Sequence, residues 1–185
     1  PEIWRSTPLV HIAPVAREVD PTLARFFSDS LVCLTPQGYM RSWDKTGRVS
    51  FSEWPEASFV LENTAAAVLS LEDINGDENR IEEMLRSIRI LAVTEGAAGV
   101  RIYWNGDVRR FSPPKVTEID STGAGDIFAA SFFVKYFATR DPWEAARFAV
   151  QLAAYSVTRS GIESIPTAEE IEFTGTEILK AEQPT

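Results

Sequence analysis

The stretch DSTGAGD, residues 120–126, is the most informative part of this sequence. Small residues at 123–125 precede a long apolar segment that predicts a buried helix over 124–139, so the backbone amides of 123–125 can approach a ligand closely. They lie at the positive end of the helix dipole and can bind an anion. Asp126, in the first turn, then lies within reach of the bound group. Phosphoryl transfer needs this combination, because donors stabilise the phosphoryl charge and a carboxylate takes the proton of the acceptor hydroxyl.

A purely structural interpretation of the same residues is also open. Ser121 or Thr122 would cap the helix, and Asp126 would interact favourably with the helix dipole. The short string alone does not separate this interpretation from a catalytic one, because short motifs also match by chance.

Two further segments favour the catalytic interpretation. VTEGAAGV (93–100) is a strand end followed by a glycine turn, and AARFAVQLAAYSVTRSGIESIPTAEEI (145–171) combines a helix, a glycine loop and an Ile-Pro-Thr segment. Together with DSTGAGD they resemble the ribokinase-like (PfkB) carbohydrate kinase family in order and spacing over about residues 58–173. The resemblance implies an ATP-dependent kinase that phosphorylates a hydroxyl of a sugar, nucleoside or polyol.

The resemblance also implies a role for each site residue. Asp126 would be the catalytic base, and the amides of the three small residues would form the anion hole. The implied catalytic set is Asp126, Gly123, Ala124 and Gly125, and the implied nucleotide-binding set is Thr94, Gly96, Gly99, Thr122, Gly161 and Ile162. ATP and Mg²⁺ are the implied cofactors. Asp120 and Thr122 would ligate a monovalent cation such as K⁺, or else only hold a turn through side-chain-to-backbone hydrogen bonds.

The sequence departs from the family pattern in three places. Ala130-Ser131 replaces a usual Ala-Gly pair after the aspartate. The register of an Asn-x-x-Glu motif, which helps order magnesium-bound water, reads Ser70-Leu71-Glu72-Asp73, where Asp73 keeps a carboxylate on a shorter stem. Nothing in residues 1–57 resembles the family's N-terminal sugar-contacting strand or β lid. We therefore expect a single α/β domain over 1–185, equivalent to the C-terminal two-thirds of a kinase unit.

The alternation of predicted strands and helices indicates a mainly parallel sheet with helices on both faces and a C-terminal β-hairpin. The family resemblance implies that this is a three-layer Rossmann-like ribokinase fold. The predicted strands are 8–14, 31–35, 66–71 and 89–96, and the hairpin joins 99–104 to 107–111 through Asn105-Gly106. One predicted helix starts at Asp20-Pro21. The others cover 77–88, 124–139, 142–159 and 167–180. Residues 58–63 fit either a strand or a helical turn, and 36–52 predict a loop or irregular hairpin.

Composition limits the class of partner. A net charge of −9 argues against a nucleic-acid surface, and no apolar run is long enough to span a bilayer. The N-terminal residues carry no secretory signal, and a single cysteine, Cys33, suits a reducing cytoplasm. Strand 8–14 should leave an apolar sheet edge, so a homo-oligomer is a candidate assembly.

Three polar residues outside the motifs receive structural interpretations. His11 is the only histidine and lies in an apolar strand, which favours a satisfied core or strand-end histidine over a catalytic one. Gln37 and Arg41 follow a strand at the place where the family approaches its substrate. Polar loop residues are usually exposed, so solvated positions are favoured for both.

Two other functions remain as alternatives. The first is a nucleotide-binding module without turnover, because the acceptor half is missing and the Asn-x-x-Glu motif is altered. The second is a Rossmann-type dinucleotide domain. It is the weakest, because the glycine motifs follow late strands and no acidic ribose partner lies about 20 residues further on.

Overall fold

The computed structural model describes residues 2–175 of the 185-residue chain. The β-strands are Leu9–Ile12 (β1), Leu31–Leu34 (β2), Arg41–Trp43 (β3), Val49–Phe51 (β4), Ala66–Ser70 (β5), Ile90–Thr94 (β6), Val100–Trp104 (β7) and Asp107–Phe111 (β8). The α-helices are Glu2–Arg5 (α1), Ala57–Glu62 (α2), Glu78–Leu85 (α3), Ala124–Thr139 (α4), Pro142–Ser156 (α5) and Ala168–Gly175 (α6). The predicted positions 176–180 of the last helix lie outside the described residues.

The main sheet has six strands in the order β1-β2-β5-β6-β7-β8. The first four strands run parallel, and Ser70 at the end of β5 is the register partner of Thr94 at the end of β6. β7 and β8 continue the sheet as an antiparallel hairpin. Asn105 and Gly106, at its tip, have φ angles of 53° and 82°, which confirms the predicted hairpin turn.

Alternate residues of the strands enter two separate cores. Leu34, Leu69 and Val93 pack with α2, α3 and the segment around Tyr39 on one face. Cys33, Val68 and Ala92 pack with α4 and α5 on the other. The period of two in a pleated strand explains this division, and it produces the predicted three layers.

Packing decides the secondary structure of the segments for which hydrophobic periodicity allowed more than one. Residues 58–63 lie mostly in helix α2, because Val60 and Leu61 bury one helical face. The predicted loop 36–52 contains a 3₁₀ helix, Pro36–Met40, and the antiparallel pair β3-β4. The helix after Asp20 is 3₁₀ rather than α, and Asp20 accepts a hydrogen bond from the Thr22 amide as the predicted N-cap.

Helix α4 is less buried than its apolar sequence predicts. Phe128, Phe132 and Phe133 are buried, but Val134 is 58% exposed, and Ala130 is also exposed. α4 lies over β1 at the edge of the sheet, so the described residues offer no element to cover its outer side. The prediction of a helix buried all round is therefore wrong for that side. No described helix is long and apolar enough to cross a membrane.

The two edges of the main sheet differ in charge. β8 carries Arg109 and Arg110, whereas β1, with the sequence LVHI, carries no acidic or basic side chain except His11, whose burial lowers its pKa. Among residues 2–175, β1 pairs only with β2. Charged edges resist pairing with other chains, so β1 is the edge open to association.

We expect the chain to self-associate through β1. Sedimentation velocity at rising protein concentration should show association that Leu9→Lys weakens, because a charge at an edge strand opposes pairing. The matched change Val108→Lys, on the edge strand β8, should leave association unchanged. A concentration-independent monomer would contradict this expectation.

Gly99 shows how closely the glycine turn approaches β8. Its φ is 98° and ψ is −133°, and a Cβ there would collide with the Phe111 carbonyl. Gly99→Ala should lower the free energy of unfolding by at least about 3 kcal/mol, because left-handed strain and steric overlap add. Gly47 has a similar φ of 84° but open space, so Gly47→Ala should cost only about 1 kcal/mol. If chemical denaturation gave the same loss in free energy of unfolding for both variants, the overlap of the added methyl group with the Phe111 carbonyl would not destabilise the fold.

Candidate active site

The predicted site residues gather at one end of the sheet. The parallel strands β1, β2, β5 and β6 end there, and β8 runs in the same direction as β6 because two antiparallel pairings separate them. Helix α4 follows β8 and begins with the predicted glycine loop. Ligands of open α/β sheets bind beyond the carboxyl ends of the strands, so this end is the candidate site.

The glycine loop leaves backbone donors at the start of α4. Gly123 has a φ of 81°, and its carbonyl accepts the first helical hydrogen bond from Ile127 at 2.9 Å. The Ala124 amide donates to the Ser121 carbonyl at 3.2 Å. Within residues 2–175 the amides of Gly123, Gly125 and Asp126 have no acceptor. An anion at this helix start would thus meet the Asp126 amide as well, which the sequence analysis did not include.

Space around the loop is open. A Cβ built on Gly123 or Gly125 would meet no atom within 4 Å. Only Gly123 needs its positive φ, because such a conformation is strained for other residues. Gly125 is therefore not required by the packing of the described chain.

The Asp126 side chain is exposed in the first turn of α4. In the part of the chain that the structure describes, its carboxylate takes part in no hydrogen bond or ion pair. It is therefore available to accept a proton from a ligand. Burial lowers the pKa of His11, and the Asp126 carboxylate opposes this shift, so the two side chains interact electrostatically.

Asp120 connects the glycine loop with the loop after α5. One carboxylate oxygen accepts from the Thr122 amide at 2.9 Å, and the other accepts from the Gly161 amide at 3.4 Å. These bonds to Thr122 and Gly161 lower the pKa of Asp120. Ile162, next in the chain, is 86% exposed. The structure thus brings together the predicted residues Asp120, Thr122, Gly161 and Ile162.

The turn after β6 is held by charges. The Glu95 carboxylate pairs with Arg101 at 2.6 Å and with Arg110 at 3.0 Å, and its side chain is only 9% exposed. Thr94 donates its hydroxyl to the Leu69 carbonyl at 3.4 Å, and Gly96 is exposed with a φ of 56°. No sequence motif indicated these ion pairs, which fix the turn that is predicted to lie along the phosphates.

The residues in the register of the Asn-x-x-Glu motif, 70–73, form a cap at the start of the 3₁₀ helix Leu71–Ile74. The Asp73 carboxylate accepts from the Ser70 amide and from the Gln37 side chain, both at 2.9 Å. The Gln37 side chain is half-buried because its amide reaches Asp73, just beyond the end of β5. The prediction of a solvated loop position is therefore wrong for Gln37. Arg41 is half-buried at the start of β3. Among residues 2–175 no group of three or more His, Cys, Asp or Glu side chains could hold a metal.

His11 is a strand-end histidine with a hydrogen-bond partner, in agreement with the prediction. Its ring contacts Phe133 of α4 edge-on, with centroids 4.8 Å apart, and its Nε2 lies 3.1 Å from the Thr35 hydroxyl. A lone histidine in an apolar strand carries no sequence signal for proximity to Asp126. Only the packing of α4 on β1 brings the two together.

Comparison with protein families and curated proteins gives a consistent result. A model of the pfkB family of carbohydrate kinases matches residues 43–168. Fructokinase-2 of Zea mays is 31% identical over 126 residues, which cover 63% of this chain and 37% of the relative. A fructokinase of Escherichia coli is 26% identical over 191 aligned positions, which cover 91% of this chain and 61% of the relative. The chain therefore spans less than two thirds of the length of these curated relatives.

Comparison with solved structures confirms the predicted fold. The structure of Arabidopsis thaliana ribokinase complexed with ribose and ATP aligns with a TM-score of 0.73 at 21% identity. The alignment covers 96% of this chain and 58% of that chain. At this identity the likeness is one of fold, a mainly parallel sheet between helices.

Proposed function

Because the chain belongs to the pfkB family of carbohydrate kinases, we propose that it carries the catalytic part of an ATP-dependent phosphotransferase. The acceptor is a hydroxyl of a sugar, nucleoside or polyol. The observation that carries this proposal is the unengaged carboxylate of Asp126, which directly follows open backbone donors at a helix start.

In the proposed reaction Asp126 takes the proton of the acceptor hydroxyl. The acceptor oxygen forms a bond to the γ-phosphorus, the bond from that phosphorus to the bridging oxygen breaks, and ADP leaves with the electron pair. The amides of Gly123 and Gly125, which are free within residues 2–175, stabilise the charge on the transferring phosphoryl group together with that of Asp126. Preorganised donors of this kind stabilise developing charge without reorganisation. The Ala124 amide, also predicted for this role, would first have to leave the Ser121 carbonyl.

The remaining predicted residues are proposed for the nucleotide. Thr94, Gly96 and Gly99 lie along its phosphates, and Gly161 and Ile162 border the adenine beside Thr122. The hydrogen bond from Gly161 to Asp120 supports this arrangement, because it ties the proposed adenine loop to the glycine loop. The ion pairs of Glu95 support it from the other side, because they hold the phosphate turn in place.

In this proposal the metal ions are bound by few protein side chains. Mg²⁺ neutralises phosphate charge when bound, and it usually keeps several waters and few carboxylates. We propose that it enters with ATP, since residues 2–175 hold no group of three metal-binding side chains. The side-chain oxygens of Asp120 and Thr122, two residues joined by the bond from the Thr122 amide to the Asp120 carboxylate, are proposed to ligate a monovalent cation such as K⁺.

We also propose that residues 1–185 form a single α/β domain, equivalent to the C-terminal two-thirds of a kinase unit. The buried, unreactive Cys33 is compatible with a reducing compartment, and burial raises its pKa to about 12. The cytoplasm is therefore the proposed location.

A coupled ADP-release assay tests the proposal. Candidate acceptors are fructose and ribose, after the relatives, together with adenosine and glycerol for the nucleoside and polyol classes. For the complete kinase unit, ADP release that depends on one acceptor is the expected result, whereas residues 1–185 by themselves should bind ATP weakly and release little ADP. ATP binding by the complete unit in calorimetry, without ADP release from any acceptor, would contradict turnover.

That outcome would favour the second candidate, a nucleotide-binding module. One observation supports this candidate. Both carboxylate oxygens of Asp73 already accept hydrogen bonds, so Asp73 is less available to accept from magnesium-bound water than the glutamate of the family motif. ATP binding without turnover is its signature.

A further inference from the structure

His11 lies at the carboxyl end of the sheet, on the same face as α4. It is the third residue of β1, and its neighbour Ile12 points into the opposite core. Its ring is fixed from two sides, by Phe133 of α4 and by the Thr35 hydroxyl at the end of β2. The following loops are also tied, because the Gly38 amide donates to the Pro14 carbonyl at 2.9 Å. The ring is therefore held in place before any ligand arrives.

One ring nitrogen of His11 is unused. Nε2 is bonded to Thr35, and within residues 2–175 Nδ1 has no hydrogen-bond partner. The residue is exposed, so Nδ1 can reach a ligand. Since imidazole exists in two tautomers, Nδ1 can either donate to or accept from a hydroxyl, according to the role of Thr35.

Burial of the His11 ring favours its neutral form. Desolvation against α4 lowers its pKa, and the Asp126 carboxylate only partly offsets this by raising it. The register partner on β2 is Cys33, a thiol whose burial raises its pKa to about 12 and keeps it uncharged. A neutral ring can donate to or accept from a ligand hydroxyl.

We infer that His11 binds the phosphate acceptor through Nδ1 and holds its hydroxyl on the Asp126 side of α4. This rests on the proposed function for the identity of the reaction. The geometry that supports it is the ring clamped between Phe133 and Thr35, with a free nitrogen. Asp126 precedes Phe133 by about two turns on the same face of α4. Thr35 is a positioning residue, because it acts through the ring.

Two substitutions separate the ring nitrogens. The amide of His11→Asn lies near the place of Nδ1, and the longer His11→Gln places its amide near Nε2. We expect His11→Gln to raise the KM for the acceptor about tenfold, as for one lost hydrogen bond, with the KM for ATP unchanged. His11→Asn should raise the KM for the acceptor less, because it keeps a polar group near the place of Nδ1 although it loses the contacts of the ring with Phe133 and Thr35. Equal losses in both variants, with unfolding transitions like wild type, would overturn the inference.

A second readout does not depend on turnover. His11 is the only histidine of the chain, so the imidazole NMR signals of the tag-free protein report on this ring alone. We expect these signals to shift when fructose, ribose, adenosine or glycerol binds. We also expect Asp126→Asn to lower the pKa of His11 further, because it removes the carboxylate that raises it.

The two readouts distinguish this inference from the proposed function. Shifted His11 signals without ADP release by the complete kinase unit would contradict the kinase while supporting the acceptor site. ADP release from an acceptor that leaves the His11 signals unchanged would support the kinase and overturn the inference. Signals that no compound of the panel moves would overturn it as well.

Discussion

The substitution Asp126→Asn is expected to lower turnover by about 10²–10⁴, because the amide cannot take the proton of the acceptor hydroxyl. Folding and nucleotide binding should remain nearly intact. The side chain is exposed, and among residues 2–175 its carboxylate makes no hydrogen bond or ion pair that the change could break. The measurements are the coupled ADP assay with a saturating acceptor, ATP binding by calorimetry and the free energy of unfolding.

The matched control is Asp29→Asn, an exposed aspartate that precedes β2 and so lies at the opposite end of the sheet. It makes the same chemical change without approaching the glycine loop and should leave turnover unchanged. If Asp126→Asn also turned over like wild type, Asp126 would not be the base, and the residue would only stabilise the helix start.

The substitution Gly125→Val is expected to lower the rate by at least roughly 10²–10³, the usual loss for one oxyanion donor. The added side chain would occupy the space through which a phosphoryl group approaches the amides. In the structure itself that space is open, since a Cβ at Gly125 meets no atom within 4 Å and the residue has no positive φ. The fold should therefore tolerate the change, and the loss should appear in kinetics and ATP affinity rather than in stability.

Gly125→Ala provides the graded comparison. It should lower the rate less than valine does, and it should stabilise the chain by up to about 1 kcal/mol, because alanine favours helix more than glycine does. Unchanged kinetics in a folded Gly125→Val variant would mean that the loop is a helix cap and nothing more.

Local chemistry in the sequence determined most of the secondary structure. The α4 segment, the Asn105-Gly106 hairpin and the Asp20 cap depend on short-range properties, namely apolar length, positive φ and side-chain capping, and the structure confirms each. The position of Asp126 in the first turn of α4 follows from the same local logic. For these features a window of a few residues contains the deciding interactions.

Only the tertiary structure decided which polar groups meet. Gln37 reaches Asp73, Glu95 pairs with Arg101, and His11 comes beside Asp126 across sequence separations that no local pattern encodes. The exposed side of α4 is a further case, because its apolar composition does not tell where the sheet ends. Burial and side-chain pairing depend on the order in which distant strands join the sheet. The sequence alone thus indicated the chemistry of the glycine loop, and the packing of α4 on β1 decided what lies beside it.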